Sequence, residues 1–171
     1  MTIEELTRLE LQAEEVEKMG SSLHAGIGGA IVGALYSYLE NNSTGQVLDS
    51  SATYDFKDGL PKRQPDISFV TLEKLPMLMD EELTVVPDLA VEVVSRNDKI
   101  YEVEAKVRQY QQAGVGLIWV IYPVSRTVGI YRTTTGLTPQ FIGTEAELEG
   151  ENILPGFKLA VNKLFKRAAL I

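Results

Sequence analysis

Two acidic residues and one lysine in the middle of the sequence have the types needed for metal-assisted hydrolysis. Asp66 follows a proline at the start of a short apolar segment, Glu92 interrupts the apolar run 89–94, and Lys106 lies on the predicted helix that comes next. Two carboxylate oxygens with water suit Mg²⁺ or Mn²⁺. A nearby ammonium can stabilise charge on a phosphoryl transition state or orient an attacking water. If the two strands are neighbours, we expect Asp66 and Glu92 to share a divalent ion.

Each of these residues also has a structural interpretation. An aspartate after a proline is commonly a turn or cap residue. Glu102 and Lys106 have the i,i+4 spacing of an ordinary surface ion pair. Glu92 differs, because an unpaired carboxylate among apolar residues costs several kcal/mol to bury. A glutamate there needs a cation, a metal ion or a strand end in water, and buried acids of this kind are often site residues.

Histidine and basic residues surround these three positions in the sequence. His24, in the first turn of a predicted buried helix, is either a cap or packing residue or a group at the edge of the site that contacts phosphate or water. Basic residues flank the three segments, and such side chains can contact phosphate groups; they are Lys62, Arg63, Arg96, Lys99, Lys106 and Arg108. Charges beside turns are also commonly just solvated.

The composition excludes several other kinds of site. The chain has no cysteine, which rules out disulfides, thiolate zinc sites, iron–sulfur clusters and a cysteine nucleophile. With one histidine, a multi-histidine zinc site is excluded as well. No G-x-x-x-x-G-K-[ST], strand-to-helix G-x-G-x-x-G or G-x-S-x-G motif is present, which argues against P-loop, dinucleotide-binding and serine-hydrolase folds.

Charge and length limit the class of protein further. The net charge of −8 is the wrong sign for nonspecific coating of nucleic acid, and it reflects either solubility or a carboxylate cluster that recruits a cation. The 171 residues, 44% hydrophobic, predict one soluble domain over residues 1–171. No run approaches the roughly 18 apolar residues of a membrane span, and the acidic, polar start is unlike a secretory signal. We therefore expect a cytoplasmic location and no membrane contact.

An α/β arrangement must position the candidate residues. Spacing predicts an acidic amphipathic helix over residues 1–20, ended by Gly20 and two serines, and a buried helix over 23–41. Residues 65–70 read as a short strand and 89–94 as a central strand buried on both faces. Further predicted elements are a helix capped by Asn97 or Asp98 with the apolar stripe Ile100, Val103, Val107 and Tyr110, its end at Gly114, strands at 117–122, 127–132 and 140–142, and a short C-terminal helix.

An ordered set of strings in this sequence resembles the Uma family of restriction-endonuclease-like proteins. That family is assigned to the PD-(D/E)xK nuclease superfamily. The likeness covers a core of about residues 22–165. The strings are Gln64–Val70, Pro87–Ser95, Lys106–Tyr110 with Ala113–Val115 and Trp119–Ile121, and near the end Leu148–Gly150, Ile153–Phe157 and Leu164–Phe165.

The resemblance implies a restriction-endonuclease-like mixed β-sheet flanked by helices. It implies that Asp66 and Glu92 bind the metal, that Lys106 is the catalytic lysine, and that His24 occupies a position where the family often has a histidine. Val94 stands where the superfamily has the lysine of E-x-K, so the lysine has moved to the helix, as in the Uma-like arrangement. Residues 1–20 form an acidic helix in place of the family's usual early hairpin.

Our first hypothesis is a Mg²⁺-dependent (or Mn²⁺-dependent) endonuclease that hydrolyses phosphodiester bonds. Nucleic acid is the expected partner, with DNA favoured, and Lys62, Arg63, Arg96, Lys99 and Arg108 are the expected phosphate contacts. A homodimer is the expected assembly, because it is the commonest closed one. Two alternatives stay open: a catalytically inactive interaction module on the same fold, and a hydrolase of small phosphate esters.

Overall fold

Two parallel strands joined by a helix form the centre of the structure. The computed structural model describes residues 3–77, 82–136 and 138–166, without the side chains of residues 3–7, 9–21, 77 and 82. Strand β5 (Leu89–Val93) pairs in parallel with β6 (Leu117–Tyr122), and every residue of β5 is buried. Their continuous apolar runs are typical of strands covered on both faces. Helix α2 (Ile100–Ala113) connects them and ends at Gly114, whose φ of 96° is left-handed.

The central pair belongs to a mixed six-stranded sheet of order β1-β3-β5-β6-β7-β8. All its neighbouring strands are antiparallel except β5 and β6. This is the predicted fold class, an α/β protein with a mixed sheet. The strands not yet given are β1 (Gly45–Asp49), β2 (Thr53–Tyr54), β3 (Ile67–Thr71), β4 (Glu82–Leu83), β7 (Thr127–Arg132), β8 (Gln140–Ile142), β9 (Glu147–Glu149) and β10 (Lys158–Ala160).

Helix α1 (Ile3–Leu39) is continuous, so the predicted break at Gly20 is wrong. The acidic segment 1–20 and the helix 23–41 are, over their described residues, one helix of 37 residues. A glycine inside a helix costs only about 1 kcal/mol relative to alanine. Without a proline, that cost does not end a helix whose following turns pack on the sheet.

The two faces of the sheet carry different helices. On one face, α1 packs through Ile27, Ile31 and Leu35, together with β9, β10 and the short helix α3 (Val161–Leu164). On the other face, α2 packs on Ala90, Ile118 and Val120. Side chains alternate along a strand, and Glu92 therefore shares the α2 side with Ala90.

The beginning of α2 differs from the sequence prediction. Neither Asn97 nor Asp98 caps the helix, which starts after Lys99 without a side-chain cap. Asp98 Oδ2 instead accepts a hydrogen bond from the Ser95 N–H at 2.7 Å, so its carboxylate is used within the preceding turn. Ile100 is 77% exposed and does not join the buried stripe.

Short 3₁₀ helices at Leu72–Met77 and Thr133–Thr135 complete the described secondary structure. Residues 1–2, 78–81, 137 and 167–171 lie outside the described residues. Among the helices that are described, none combines the length and hydropathy that a membrane crossing requires.

Candidate active site

Glu92 is a buried carboxylate whose two oxygens each have a specific donor. Its side chain is 6% exposed. Lys106 Nζ lies 2.6 Å from Oε2, and the Tyr110 hydroxyl donates to Oε1 at 2.5 Å. These contacts supply what an acid in an apolar strand needs, a cation and hydrogen bonds. Lys106 itself is one-third exposed, so its ammonium lies between the buried acid and solvent.

Helix α2 brings both donors to Glu92. Lys106 and Tyr110 are four residues apart and therefore lie on one face of the helix. Because α2 follows β5 directly and packs on it through Val103 and Val107, that face is held above the strand. The structural interpretation of Lys106 as a partner of Glu102 is wrong, because Lys106 bonds to Glu92, while Glu102 lies 4.0 Å from Lys99.

Asp66 directly precedes the neighbouring strand β3 and lies next to Glu92. Ile67 of β3 pairs with Val91 of β5 in antiparallel register, and the next step of that register brings Asp66 to Glu92. Asp66 Oδ2 accepts the backbone N–H of Val93 at 2.7 Å and lies 3.3 Å from His24 Nε2. The backbone contact fixes this carboxylate against β5.

The environments of the two acids move their pKa values in opposite directions. Burial raises the pKa of Glu92, against the charge and hydrogen bond of Lys106, and the Asp66 charge raises it further. Burial works to raise the pKa of Asp66 as well, but hydrogen bonds from His24 and the Val93 N–H outweigh burial and lower it. The hydrogen bond to Asp66 in turn raises the pKa of His24. Opposed shifts in adjacent acids are typical of functional sites.

The predicted site residues therefore meet as two linked pairs. His24 on α1 contacts Asp66, and Lys106 on α2 contacts Glu92. The Lys106 charge also acts on Asp66, so the pairs are close enough to influence each other. The helices bearing His24 and Lys106 cover opposite faces of the sheet, and the two pairs meet where the first residues of β3 lie beside the end of β5.

The predicted phosphate contacts are less uniform. Arg63 is half-buried, and its Nε donates to Gln109 Oε1. Lys62 and Arg96 are exposed, and Lys99 lies 5.7 Å from the ring centre of Tyr101. Arg108 is two positions from Lys106 and so points away from it around the helix. Arg108 lines a separate cavity on that side of α2.

Sequence reasoning missed two residues of α2. Tyr110 was interpreted only as part of the apolar stripe, although it is four residues from Lys106 and its hydroxyl contacts the acid. Gln109 is buried, and its amide donates to Asp58 Oδ2 and to the Pro61 carbonyl, each at 3.0 Å, which ties the 55–62 loop to the helix. A glutamine among buried helix positions was the available signal, because buried amides need partners.

Comparison with known proteins identifies the family of this chain. The protein-family model described as "Uma2: Putative restriction endonuclease" matches residues 1–162. The chain belongs to the Uma2 family. The resemblance inferred from the motif strings is thereby confirmed.

A solved structure supports the fold assignment for this Uma2 protein. This chain is similar to a crystal structure described as a "putative nuclease belonging to DUF820" from Anabaena variabilis, with a TM-score of 0.73 and 19% identity. The match covers 84% of this chain and 80% of the other. A search of curated proteins gives no match.

The Uma2 family resemblance implies a divalent cation, and the donors present suit a hard one. Within the described part of the chain, no cluster of three or more His, Cys, Asp or Glu side chains is suited to a metal. Mg²⁺ is commonly held by only one or two carboxylates, with water and substrate phosphate completing the shell. Asp66 keeps one-quarter of its side chain exposed, and its Oδ1 accepts no hydrogen bond from a described residue. Asp66 and Glu92 therefore fit Mg²⁺ or Mn²⁺ as oxygen donors.

Proposed function

We propose that this Uma2 protein is a divalent-metal-dependent nuclease that hydrolyses phosphodiester bonds of nucleic acid. The observation that supports this most directly is Glu92, a buried acid held by Lys106 and Tyr110 beside Asp66 on the adjacent strand. The two acids suit a cation, and the ammonium at the solvent side suits a phosphate group. The site therefore suits a phosphate-bearing substrate that binds together with a cation. A purely structural role for Glu92 would be served as well by an apolar residue.

In this proposal, Asp66 and Glu92 hold the cation. When bound, it supplies Lewis acidity to a phosphate oxygen. Lys106 Nζ, one-third exposed, neutralises charge that develops on the phosphoryl group. Tyr110 keeps its proton, because burial and the Glu92 charge raise its pKa, and it orients Glu92 Oε1. His24 Nε2 orients Asp66 through Oδ2.

The proposed partner is nucleic acid, with DNA favoured. Lys62, Arg63, Arg96, Lys99 and Arg108 remain the predicted phosphate contacts, and the charge of Arg63 acts on Tyr110, the donor to Glu92. The homodimer, the cytoplasmic location and the single domain over residues 1–171 also remain predictions from the sequence.

The decisive experiment incubates the protein with single- and double-stranded DNA and RNA in Mg²⁺, Mn²⁺ or EDTA. We expect metal-dependent cleavage by the wild type and none by Glu92→Gln, because the neutral amide weakens the cation site. Asp88→Asn is the matched control, since Asp88 is an acid paired with a lysine elsewhere on the sheet. Cleavage that survives Glu92→Gln, or no cleavage of any substrate by a folded wild type, contradicts the proposal.

A further inference from the structure

A cavity lies on the other side of α2 from the acids. It encloses about 570 Å³ between α2 and strands β6–β8, at the edge of the sheet. Its lining includes Tyr122, Tyr131 and Phe141 from the sheet and Glu104 and Arg108 from α2. Phe141 is 57% exposed, and its ring centre lies 5.9 Å from that of Tyr122. The cavity therefore combines exposed aromatic surface with one cation and one anion.

This combination restricts the ligand. A simple anion would suit Arg108 but be repelled by Glu104, and an apolar ligand would leave both charges without a function. A nucleotide has a flat ring that stacks on aromatic side chains, amino groups that donate to a carboxylate, and a phosphate that binds a guanidinium. The volume is within the usual range of about 300–1,000 Å³ for small-ligand sites.

The geometry points to a binding site for one unpaired base of the nucleic-acid substrate, with its ring on Phe141 and Tyr122 and its phosphate at Arg108. This inference rests on the proposed function. It adds that the nucleic-acid strand is bound through one of its bases at a distance from the site of cleavage. Glu92 on β5 and Phe141 on β8 are three strand positions apart, or about 15 Å. That span corresponds to roughly four nucleotides stacked at about 3.4 Å each, so one strand can reach both places.

Binding without cleavage tests the cavity separately from the acids. Fluorescence anisotropy in EDTA measures the affinity of wild type and Phe141→Ala for a labelled single-stranded oligonucleotide and for its blunt duplex. We expect Phe141→Ala to weaken single-strand binding about tenfold, the scale of one lost stacking contact. Duplex binding should not change, because a paired base cannot enter the cavity. Tyr36→Ala removes a similarly exposed aromatic, 53% against 57%, and should bind as the wild type does.

Arg108→Gln provides an independent measurement. If Arg108 binds phosphate, the slope of log affinity against log salt concentration should fall by about 1 for the single strand. Both side chains are exposed, so thermal unfolding of each variant should match the wild type.

The outcomes separate this inference from the nuclease proposal. Unchanged single-strand affinity in Phe141→Ala, or an unchanged salt slope in Arg108→Gln, overturns the base site even when the wild type cleaves DNA. Weaker single-strand binding by Phe141→Ala together with a smaller salt slope in Arg108→Gln supports the base site even when no cleavage is seen. The absence of cleavage would then contradict the nuclease proposal alone. A wild type that binds no oligonucleotide contradicts both.

Discussion

Strand β5 has an acid–lysine pair near each of its ends, and the two pairs differ in what surrounds them. Before the strand, Asp88 Oδ1 accepts a hydrogen bond from Lys74 Nζ at 2.8 Å. Its Oδ2 accepts one from the Thr71 N–H at 2.9 Å. Near its other end, Glu92 accepts from Lys106 at 2.6 Å and from Tyr110. The lysines are almost equally exposed, 31% and 33%. Neither the residue types nor the lysine exposure distinguishes the two pairs.

Their other contacts do distinguish them. Lys74 Nζ also donates to the Val86 carbonyl, so the first pair joins backbone groups of the segments before and after the 3₁₀ helix 72–77. Among the described residues, the hydrogen bonds of the second pair go to side chains, and this pair lies beside Asp66 and His24. The first pair therefore fixes the chain, whereas the second is the pair that the nuclease proposal uses.

Replacing each lysine by methionine should produce the largest contrast. Lys106→Met should reduce cleavage about 10²–10³-fold, the scale of one preorganised charge, whereas Lys74→Met should stay within about twofold of wild type. Both should lose stability, Lys106→Met by about 3 kcal/mol, because each leaves an acid without its cation. Single-turnover cleavage and urea unfolding measure the two effects.

A double variant checks the origin of the stability loss. Because Lys106→Met leaves Glu92 buried without its cation, adding Glu92→Gln should restore part of the lost free energy of unfolding. Equal cleavage by the two lysine variants would remove the functional distinction between the pairs. Additive stability losses in the double variant would show that Lys106 and Glu92 are not coupled.

Divalent cation should stabilise the folded protein through the Glu92–Lys106 pair and not through the Asp88–Lys74 pair. A ligand bound only by the folded state adds RT ln(1 + [L]/Kd), about 1.4 kcal/mol at ten times Kd. We expect this gain for the wild type and Asp88→Asn in a magnesium titration of the unfolding free energy, and none for Glu92→Gln. The same gain in all three proteins would place the cation elsewhere.

Tyr54 makes a buried hydrogen bond away from the candidate site, and its replacement should give the smallest loss of stability. Its buried hydroxyl lies 2.8 Å from Ser68 Oγ, whereas Tyr110 donates to a carboxylate at the site. Tyr54→Phe should cost about 1 kcal/mol at neutral pH, the usual value of one hydrogen bond, and leave cleavage unchanged. A loss of cleavage in this variant would extend the site to β2.

The pH dependence of the same variant gives a second measurement. Burial raises the pKa of Tyr54 from 10.0 to about 12. The unfolded chain therefore releases this proton first, and the stabilisation, present below pH 10, is lost as pH rises toward 12. Wild type should lose stability more steeply over this interval than Tyr54→Phe. Parallel curves would contradict the raised pKa. Tyr36→Phe, on an exposed tyrosine, is the control.

Much of the fold could be predicted because its signals are local. Continuous apolar runs identified β5 and β6, and Gly114 identified the end of α2, since both depend on side chains and φ angles near in sequence. The predicted break in α1 failed because tertiary packing outweighs the small cost of one glycine. The cap at Asp98 failed because its carboxylate had a nearer backbone partner.

For the candidate site, the sequence alone determined which chemical groups are available: an acid that cannot be buried unpaired, a second acid before a strand, and a lysine on the next helix. Only the tertiary structure decided their partners. It paired Lys106 with Glu92 rather than Glu102, added Tyr110, and turned Arg108 away toward another cavity. The reason is that helix α2 has one rotation and the sheet one register, and both are set by packing of the whole core rather than by residues adjacent in sequence.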